Sequence, residues 1–310
     1  MESRDIIVSI SCITYNHAPY IRQCLDGFLM QQTDFAFEVL VHDDCSTDGT
    51  TEIIKEYEAK YPDIIKPMYE EENQYQQGNP AGSAIWNFPR ALGKYIAMCE
   101  GDDYWIDPLK LQKQVNILES NEECSLVVSN GKYLFEGTGL IKSIDPLGNR
   151  DSGIIPIEDI FEEIGGLIPT ASMMFRSALS KMPDFFYKAP VGDKPIRMWL
   201  AVNGSVFYLK EETLVYRIGS ISSFGKAVSA DKSYAYSIYN RMVEYFISFN
   251  AYTNNKYIEI INKMIDKEEY MYYQRINDVT GLIRSNHYRR LPLKTRIIFR
   301  VKTIIKNLLR

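Results

Sequence analysis

The sequence of 310 residues has few cysteines and histidines and no long apolar run. Its five cysteines are odd in number and scattered, without a C-x-x-C pair, which argues against a disulfide framework or a zinc site and favours a reducing cytosol. No apolar stretch reaches the roughly 18 residues that a membrane-spanning helix needs. The start, MESRDIIVSISCITYN, is typical of a first strand rather than a signal peptide. We therefore expect a cytoplasmic globular protein.

Several common catalytic motifs are missing as well. The sequence has no G-x-G-x-x-G after the first apolar run, no P-loop, no H-E-x-x-H and no G-x-S-x-G. These absences argue against the dinucleotide, NTPase, metalloprotease and serine-hydrolase chemistries that those motifs support.

Acidic residues are absent from the last part of the chain. Residues 284–310 carry nine Lys and Arg and no Asp or Glu, whereas residues 1–283 carry 26 basic and 40 acidic side chains. At about 100° per residue, 294–310 separates into an apolar and a basic arc, broken only by Lys294 and Phe299. Such a helix either packs on its own domain or lies in the plane of a membrane surface. The acidic body argues against nucleic acid.

Strand and helix patterns alternate over the first 130 residues. Predicted strands cover 5–13, 37–43, 64–70, 94–100 and 124–130, and predicted helices cover 19–31, 46–61, part of 84–92 and 107–120. Ser46 or Thr47 is placed to cap the second helix. This alternation predicts an α/β fold with a mostly parallel, doubly wound sheet.

After about residue 135 the pattern loosens. We predict a long loop over 137–153, a helix within 194–204, a strand over 206–218, a second loop over 219–233 and Tyr-rich helices from 234 to about 285.

Two acidic clusters stand where predicted strands end. Asp43 and Asp44 close the second strand, and Glu100, Asp102 and Asp103 close the fourth. Ligands of open α/β sheets bind beyond the carboxyl ends of the strands. Oxygen ligands without His or Cys suit Mg²⁺ or Mn²⁺, which bind through one or two carboxylates plus substrate phosphates. The alternatives are a capped helix start for the first cluster and a solvated acidic turn for the second.

Three segments, ISCITYNHAPYIRQCL, FEVLVHDDCSTDGT and GKYIAMCEGDDYWIDPLKLQKQV, together resemble the family 2 glycosyltransferases, which are inverting enzymes of GT-A fold. The resemblance covers roughly residues 5–130, continues more weakly to about 220, and implies a nucleotide-sugar donor. It is typical of enzymes that build capsule or O-antigen polysaccharides, which act on a glycan or lipid-linked acceptor.

The resemblance also implies roles for single residues of the first half. Thr14, Tyr15 and Asn16 would line the nucleotide pocket. Asp44 would hold the base edge, with Asp43 beside it. In the element that matches the family's D-x-D, Asp102 would lie near the ribose and the metal, and Asp103 would be the main ligand of Mn²⁺ or Mg²⁺. The first position of this element is Glu100 rather than Asp, which departs from the family's pattern.

In the second half, Asp193 matches the family's general base, since it is the only acid in VGDKPIRMWLAVNG. A helix-capping role is its alternative. The family's downstream His is replaced by Gly219, so metal coordination would rest on Asp103, phosphates and water. The sequence allows two roles for Arg217: contact with the diphosphate, or a purely structural role. The stretch 168–176 resembles the family's acceptor side, and His17 is placed to line the pocket.

The predicted organisation is a GT-A domain over 1–233, divided into a nucleotide-sugar half (1–130) and an acceptor half (131–233), followed by a helical extension over 234–310. From the basic tail we expect contact with the inner face of the plasma membrane. The sequence leaves open whether the protein forms a homo-oligomer. Two rivals remain: a sugar-phosphate nucleotidyltransferase, which would need a Gly-rich basic loop where the chain reads TYNHAPY, and a non-catalytic nucleotide-binding protein at a membrane surface.

Overall fold

The structure is a computed structural model that describes residues 5–78, 82–144, 147, 150–162, 168–220 and 228–297. The chain forms two compact units, Met1–Ser223 and Phe224–Arg310.

The strands of the first unit follow the alternation that the sequence predicts. They are β1 (Ile6–Thr14), β2 (Ala36–Asp43), β3 (Ile65–Tyr69), β4 (Tyr95–Glu100), β5 (Tyr104–Trp105), β6 (Cys124–Phe135), β7 (Leu140–Ser143), β8 (Gly153–Ile155), β9 (Met174–Arg176) and β10 (Ser205–Ile218). The helices are α1 (Ile21–Leu29), α2 (Thr50–Lys60), α3 (Lys110–Ser120), α4 (Ile157–Glu162) and α5 (Asp193–Val202), with a π-helical turn at Ser83–Asn87.

The strands form a single sheet in the order β3-β2-β1-β4-β9-β6-β10-β5, with β7 beside β6 and β8 beside β10. The neighbours β3, β2, β1 and β4 run parallel, and so do β6 and β10. Strand β9 is antiparallel to both β4 and β6 and joins the two parallel groups. The prediction of a mostly parallel α/β sheet is therefore confirmed.

The two faces of β1 explain how the sheet is covered. Val8, Ile10 and Cys12 point into the main apolar core, which also takes the buried faces of α1, α2 and α3. On the other face, the Asn87 side-chain amide donates to Ser11 Oγ at 3.0 Å and to two main-chain carbonyl oxygens of β1 and β2. This buried amide anchors the π-helical turn to the sheet and satisfies polar groups that would otherwise cost free energy.

Two local predictions are wrong. Neither Ser46 nor Thr47 caps α2, which begins after Gly49 at φ +100°: the Ser46 hydroxyl donates to Asp43, and the backbone N–H of Thr50 donates to the Asp48 carboxylate at 3.1 Å. The predicted loop 137–153 contains β7, which pairs antiparallel with β6 after a turn in which Gly139 has φ +66°. A positive φ favours glycine, since other side chains are strained there.

The described part of the second unit is helical, as the sequence predicts for 234 to about 285. Its helices are α6 (Lys232–Tyr252), α7 (Ile258–Arg275), α8 (Val279–Arg284) and α9 (Asn286–Arg290). The Asp231 side chain caps α6 by accepting from the backbone N–H groups of Ser233 and Tyr234.

The predicted amphipathic helix over 294–310 lies largely outside the described residues, which end at Ile297. Residues 221–227 of the predicted loop 219–233 lie outside them as well. Among the helices that the structure describes, none combines the length and the apolar character that crossing a membrane requires.

Candidate active site

The two acidic clusters come together because β1 lies between β2 and β4. Thr14 at the end of β1 pairs with Asp43 of β2, and Ile13 pairs with Glu100 of β4. Beyond the strands, the backbone N–H of Asp44 donates to the Thr14 carbonyl oxygen at 3.0 Å. The carboxyl ends of these strands therefore gather the predicted residues of both clusters at one edge, which is where such sheets bind ligands.

The second cluster forms a tight group of carboxylates. One oxygen each from Glu100, Asp102 and Asp103 lies within 4.8 Å of the others. Asp103 is buried, and its Oδ1 accepts from the backbone N–H of Arg217 at 2.8 Å, while its Oδ2 has no hydrogen-bond partner. Asp102 Oδ2 accepts from the Ser220 hydroxyl at 2.8 Å. A buried oxygen without a partner is rare, and here it faces a group of acids.

Burial and mutual repulsion perturb these acids. Burial, followed by the charges of Asp102 and Asp193, raises the pKa of Glu100 to about 8. Burial, followed by Asp102 and Glu100, raises the pKa of Asp103 well above its usual value. Without a cation the group therefore holds protons that ordinary carboxylates would release. A divalent ion with oxygen preference fits this donor set, since it would replace those protons and engage the open Oδ2 of Asp103.

Gly101 allows the acidic turn to approach β1 closely. A Cβ at this position would lie 2.6 Å from Thr14 Oγ1 and 3.0 Å from His17 Nδ1. Both of those atoms are buried and lack a hydrogen-bond partner. The Nε2 of His17 lies 3.9 Å from Asp102 Oδ2, and burial lowers the pKa of this imidazole. His17 thus lies beside the acidic cluster, in keeping with its predicted place in the pocket.

Asp43 shapes the turn that follows β2. Its carboxylate accepts from the backbone N–H and the hydroxyl of Ser46 and from the Thr51 hydroxyl. Ser46 in turn accepts from the backbone N–H of Asn16 at 2.9 Å, and the Asn16 side chain accepts from the N–H of Thr47 at 2.8 Å. The loops after β1 and β2 are therefore tied together.

Asp44 holds the segment that follows β3. Its two carboxylate oxygens accept from the backbone N–H groups of Gln74 at 2.6 Å and Tyr75 at 3.1 Å. The sequence resemblance assigns this carboxylate to the base edge, and a base would share it with these two amides. Tyr15, also assigned to the nucleotide pocket, is half-buried in the turn after β1.

Asp193 is the first residue of α5, and its side chain is 31% exposed. Its charge contributes to the raised pKa of Glu100, so it lies within electrostatic reach of the acidic cluster. Its Oδ2 is 3.4 Å from a guanidinium nitrogen of Arg197, which is buried.

Two residues near the acids were missed by sequence reasoning. The four acids at 100, 102, 103 and 193 contribute, after burial, to raising the pKa of the half-buried Tyr216. The ring of Tyr216 contacts Tyr133, its partner in the β10–β6 register, with ring centroids 6.1 Å apart. Arg197 lies in the segment DKPIRMWLAV, whose pattern of apolar residues predicts only an amphipathic helix. Neither has a sequence signal of its own, since both are identified by neighbours distant in sequence.

The structure favours the structural interpretation of Arg217. Its guanidinium carbon lies 4.9 Å from the ring centres of both Tyr20 and Tyr104. It also donates to Glu136 and Gln23. With its side chain held in this way, Arg217 contributes to the acidic cluster the backbone N–H that orients Asp103 and a positive charge that partly offsets the rise in the pKa of Asp103.

Comparisons with known proteins show which family the chain belongs to and which structures share its fold. The sequence model of the family described as Glycosyl transferase family 2 matches residues 9–182. An uncharacterised protein of Mycobacterium tuberculosis is 35% identical over 214 residues, which are 68% of this chain and 58% of that protein. The chain thus spans less than two thirds of this relative's length.

Two solved structures share the fold. TarS of S. aureus, solved in complex with UDP-GlcNAc, aligns with a TM-score of 0.54 at 18% identity over 87% of this chain and 82% of its own. The mannosyltransferase PcManGT of Pyrobaculum calidifontis, in complex with GDP-Man and Mn²⁺, aligns with a TM-score of 0.58 at 14% identity over 98% and 81%. With a family match across more than half of its length, and with the GT-A architecture of these neighbours, the chain belongs to glycosyltransferase family 2.

Proposed function

We propose that this protein transfers a sugar from a nucleoside diphosphate donor, of which a UDP-sugar is the first choice, to a hydroxyl group of a glycan or lipid-linked acceptor. The observation that carries the proposal is the acidic cluster at the carboxyl end of β4, where the buried Asp103 has one oxygen without a partner. Repulsion among these acids is relieved if they hold a divalent cation against a diphosphate.

The site residues divide into donor and acceptor roles. Asp103, with Asp102 beside it, would hold Mn²⁺ or Mg²⁺, and Thr14, Tyr15 and Asn16 would contact the nucleoside. The ion supplies positive charge that stabilises the departing nucleoside diphosphate. Asp43 and Asp44, at the carboxyl end of β2, would hold the loops around the base.

Asp193 is the proposed general base. Its half-exposed carboxylate can accept the proton of an acceptor hydroxyl while remaining within electrostatic reach of Glu100. A single displacement from the face opposite the diphosphate inverts the anomeric centre, so that an α-linked donor gives a β-linked product. We further propose polysaccharide assembly, such as capsule or O-antigen synthesis, at the inner face of the plasma membrane, because the basic tail suits a lipid-linked acceptor.

The first test separates metal binding from transfer. Calorimetry with UDP and Mn²⁺ should show metal-dependent binding to the wild-type protein and none to Asp103→Ala. A panel of nucleotide sugars that includes UDP-GlcNAc and GDP-mannose should then identify a donor that the wild-type protein cleaves. Asp193→Asn should bind UDP and Mn²⁺ as the wild type does but lose transfer.

Three outcomes would contradict the proposal. Undiminished binding heat in Asp103→Ala would refute the metal assignment, and full turnover by Asp193→Asn would remove this residue from the mechanism. A wild-type protein that binds UDP but cleaves no donor in the panel would favour a binding role without catalysis.

A further inference from the structure

A single buried guanidinium of α5 reaches the proposed base. Arg197 follows Asp193 by four residues and is only 1% exposed. Its Nη1 donates to the Ile168 carbonyl oxygen at 2.9 Å and lies 3.4 Å from Asp193 Oδ2. The same nitrogen thus links the half-exposed carboxylate to a main-chain atom of the first unit.

The burial of this charge calls for a physical reason. The adjacent residues of α5, among them Ile196, Met198 and Leu200, are apolar and buried, so the helix already has an apolar face for the core. Burying an arginine costs several kcal/mol unless its charge is paired and its N–H groups have acceptors. The charge of Arg197 also offsets part of the rise in the pKa of Glu100, so this positive charge reaches both Asp193 and the acidic cluster.

An unrestrained aspartate at a helix start populates several staggered rotamers. A base that has to meet one acceptor hydroxyl works best when its carboxylate keeps one position, since a displacement of about 1 Å can cost roughly 100-fold in rate. A guanidinium that is itself fixed by Ile168 provides this restraint, because it lies one helical turn from the carboxylate.

We propose that Arg197 is the positioning residue of the general base: it holds the Asp193 carboxylate in one orientation, within electrostatic reach of the acidic cluster. This inference rests on the proposed function, because Arg197 acts only through Asp193. It does not contact the substrate and is therefore not itself a catalytic residue.

The chain offers a matched control in Arg90. This half-buried guanidinium also donates to main-chain carbonyl oxygens, those of Lys66 and Val41, and among the described residues it forms no ion pair with a carboxylate of the acidic cluster. Replacing either arginine with Met removes an inward-pointing guanidinium, and only the replacement at 197 frees the Asp193 side chain.

The test is a double-mutant cycle on donor cleavage. Without acceptor, water takes the place of the acceptor hydroxyl, and the release of UDP or GDP from the donor cleaved by the wild-type protein measures the rate. We expect Arg197→Met to lower kcat about 10- to 100-fold, with the donor KM and the calorimetric affinity for UDP and Mn²⁺ changed less than about twofold. Arg197→Lys should recover part of kcat, and Arg90→Met should leave kcat near the wild-type value.

The decisive comparison is made in the Asp193→Asn background. If Arg197 acts through Asp193, then Arg197→Met should cause no further loss of the residual rate there. An equal fold-loss in both backgrounds would overturn the inference, and so would a loss of UDP and Mn²⁺ binding as large as the loss of kcat. If circular dichroism shows that Arg197→Met does not fold, Arg197→Lys replaces it in the double-mutant cycle and is judged by the same comparison of the two backgrounds.

Failure of this inference and failure of the proposed function give different results. Suppose that Asp193→Asn loses donor cleavage and that Arg197→Met lowers the rate by the same factor in the wild-type and Asp193→Asn backgrounds. The proposed function then stands, and only the positioning role of Arg197 is refuted. Cleavage that is absent from the wild-type protein, or unaffected by Asp193→Asn, defeats the proposed function itself.

Discussion

At the scale of single residues, the absence of a side chain at Gly101 is as important as the carboxylates around it. Its Cα lies so close to β1 that an added methyl group would overlap Thr14 Oγ1. The acidic turn can therefore take its place between the ends of β1 and α1 only with glycine here. The family resemblance was enough to predict the carboxylates of this turn. The requirement for glycine follows instead from the close contact of Gly101 with Thr14, a residue 87 positions earlier in the chain.

We predict that Gly101→Ala weakens Mn²⁺-dependent UDP binding at least about 10-fold, because the contact of 2.6 Å forces the turn that carries Asp102 and Asp103 away from its position. Calorimetry with UDP and Mn²⁺ measures the change. Gly137→Ala is the control, since nothing lies within 4 Å of a Cβ at that position. Wild-type affinity in Gly101→Ala would show that the turn adapts and that the close approach is not required.

At the scale of an element, α3 shows what a pattern of apolar positions leaves out. The sequence predicts this helix well, and the structure has it at Lys110–Ser120. Yet Lys110, which reads as an ordinary helix-starting cation, is fully buried. Its Nζ donates to Gln114 Oε1 at 2.6 Å and lies 4.3 Å from the ring centre of Trp105. Tertiary packing, rather than helix periodicity, decided this burial.

Burial lowers the pKa of Lys110 from 10.5 to about 7. Between these two values the unfolded chain binds a proton that the folded protein does not, so this group makes the free energy of unfolding rise with pH from about 7 to 10.5. Below pH 7 both states are protonated, and the cost of the buried charge is present in full. Lys110 therefore destabilises the protein at neutral pH.

We predict that Lys110→Met raises the free energy of unfolding at pH 7 by on the order of 2–3 kcal/mol, after allowance for the hydrogen bond lost to Gln114. The rise of stability between pH 7 and 10 should also become smaller. Urea unfolding at several pH values measures both. Lys113→Met is the control in the same helix: this lysine is ion-paired with Asp107 at 2.8 Å, and its pKa is raised, so its removal should not stabilise the protein. If Lys110→Met and Lys113→Met changed the free energy of unfolding equally, the conclusion that the buried charge of Lys110 destabilises the protein would be wrong.

At the scale of the whole molecule, charge is divided unevenly between the acidic body and the basic residues 284–310. The tail carries the expectation of membrane contact, and this expectation depends on sequence alone, because the described residues end at Ile297. A basic helix face gains on the order of 1 kcal/mol per Lys or Arg near an anionic surface. The division of charge would then hold the body away from the membrane surface while the tail binds it.

We predict that the full-length protein floats with vesicles that contain phosphatidylglycerol and not with vesicles of phosphatidylcholine alone. Lys302→Glu/Lys306→Glu should abolish flotation, since it reverses two charges of the basic face. Lys232→Glu/Lys256→Glu changes the net charge equally at exposed positions outside the tail and should have little effect. Flotation that is unchanged by the tail substitutions would contradict a membrane role for residues 294–310.

The sequence by itself determined the strand and helix order of the first unit, since alternation of apolar runs is a local property, and the order of three motifs was enough to predict the GT-A fold. It also brought Asp43, Asp44, Asp102 and Asp103 to strand ends, where parallel strands share one edge. Only the tertiary structure decided the antiparallel insertion of β9, the backbone N–H that orients Asp103, and the burial of Arg197 beside Asp193. These features depend on contacts between segments far apart in the chain, and no periodicity or local motif encodes which of them will meet.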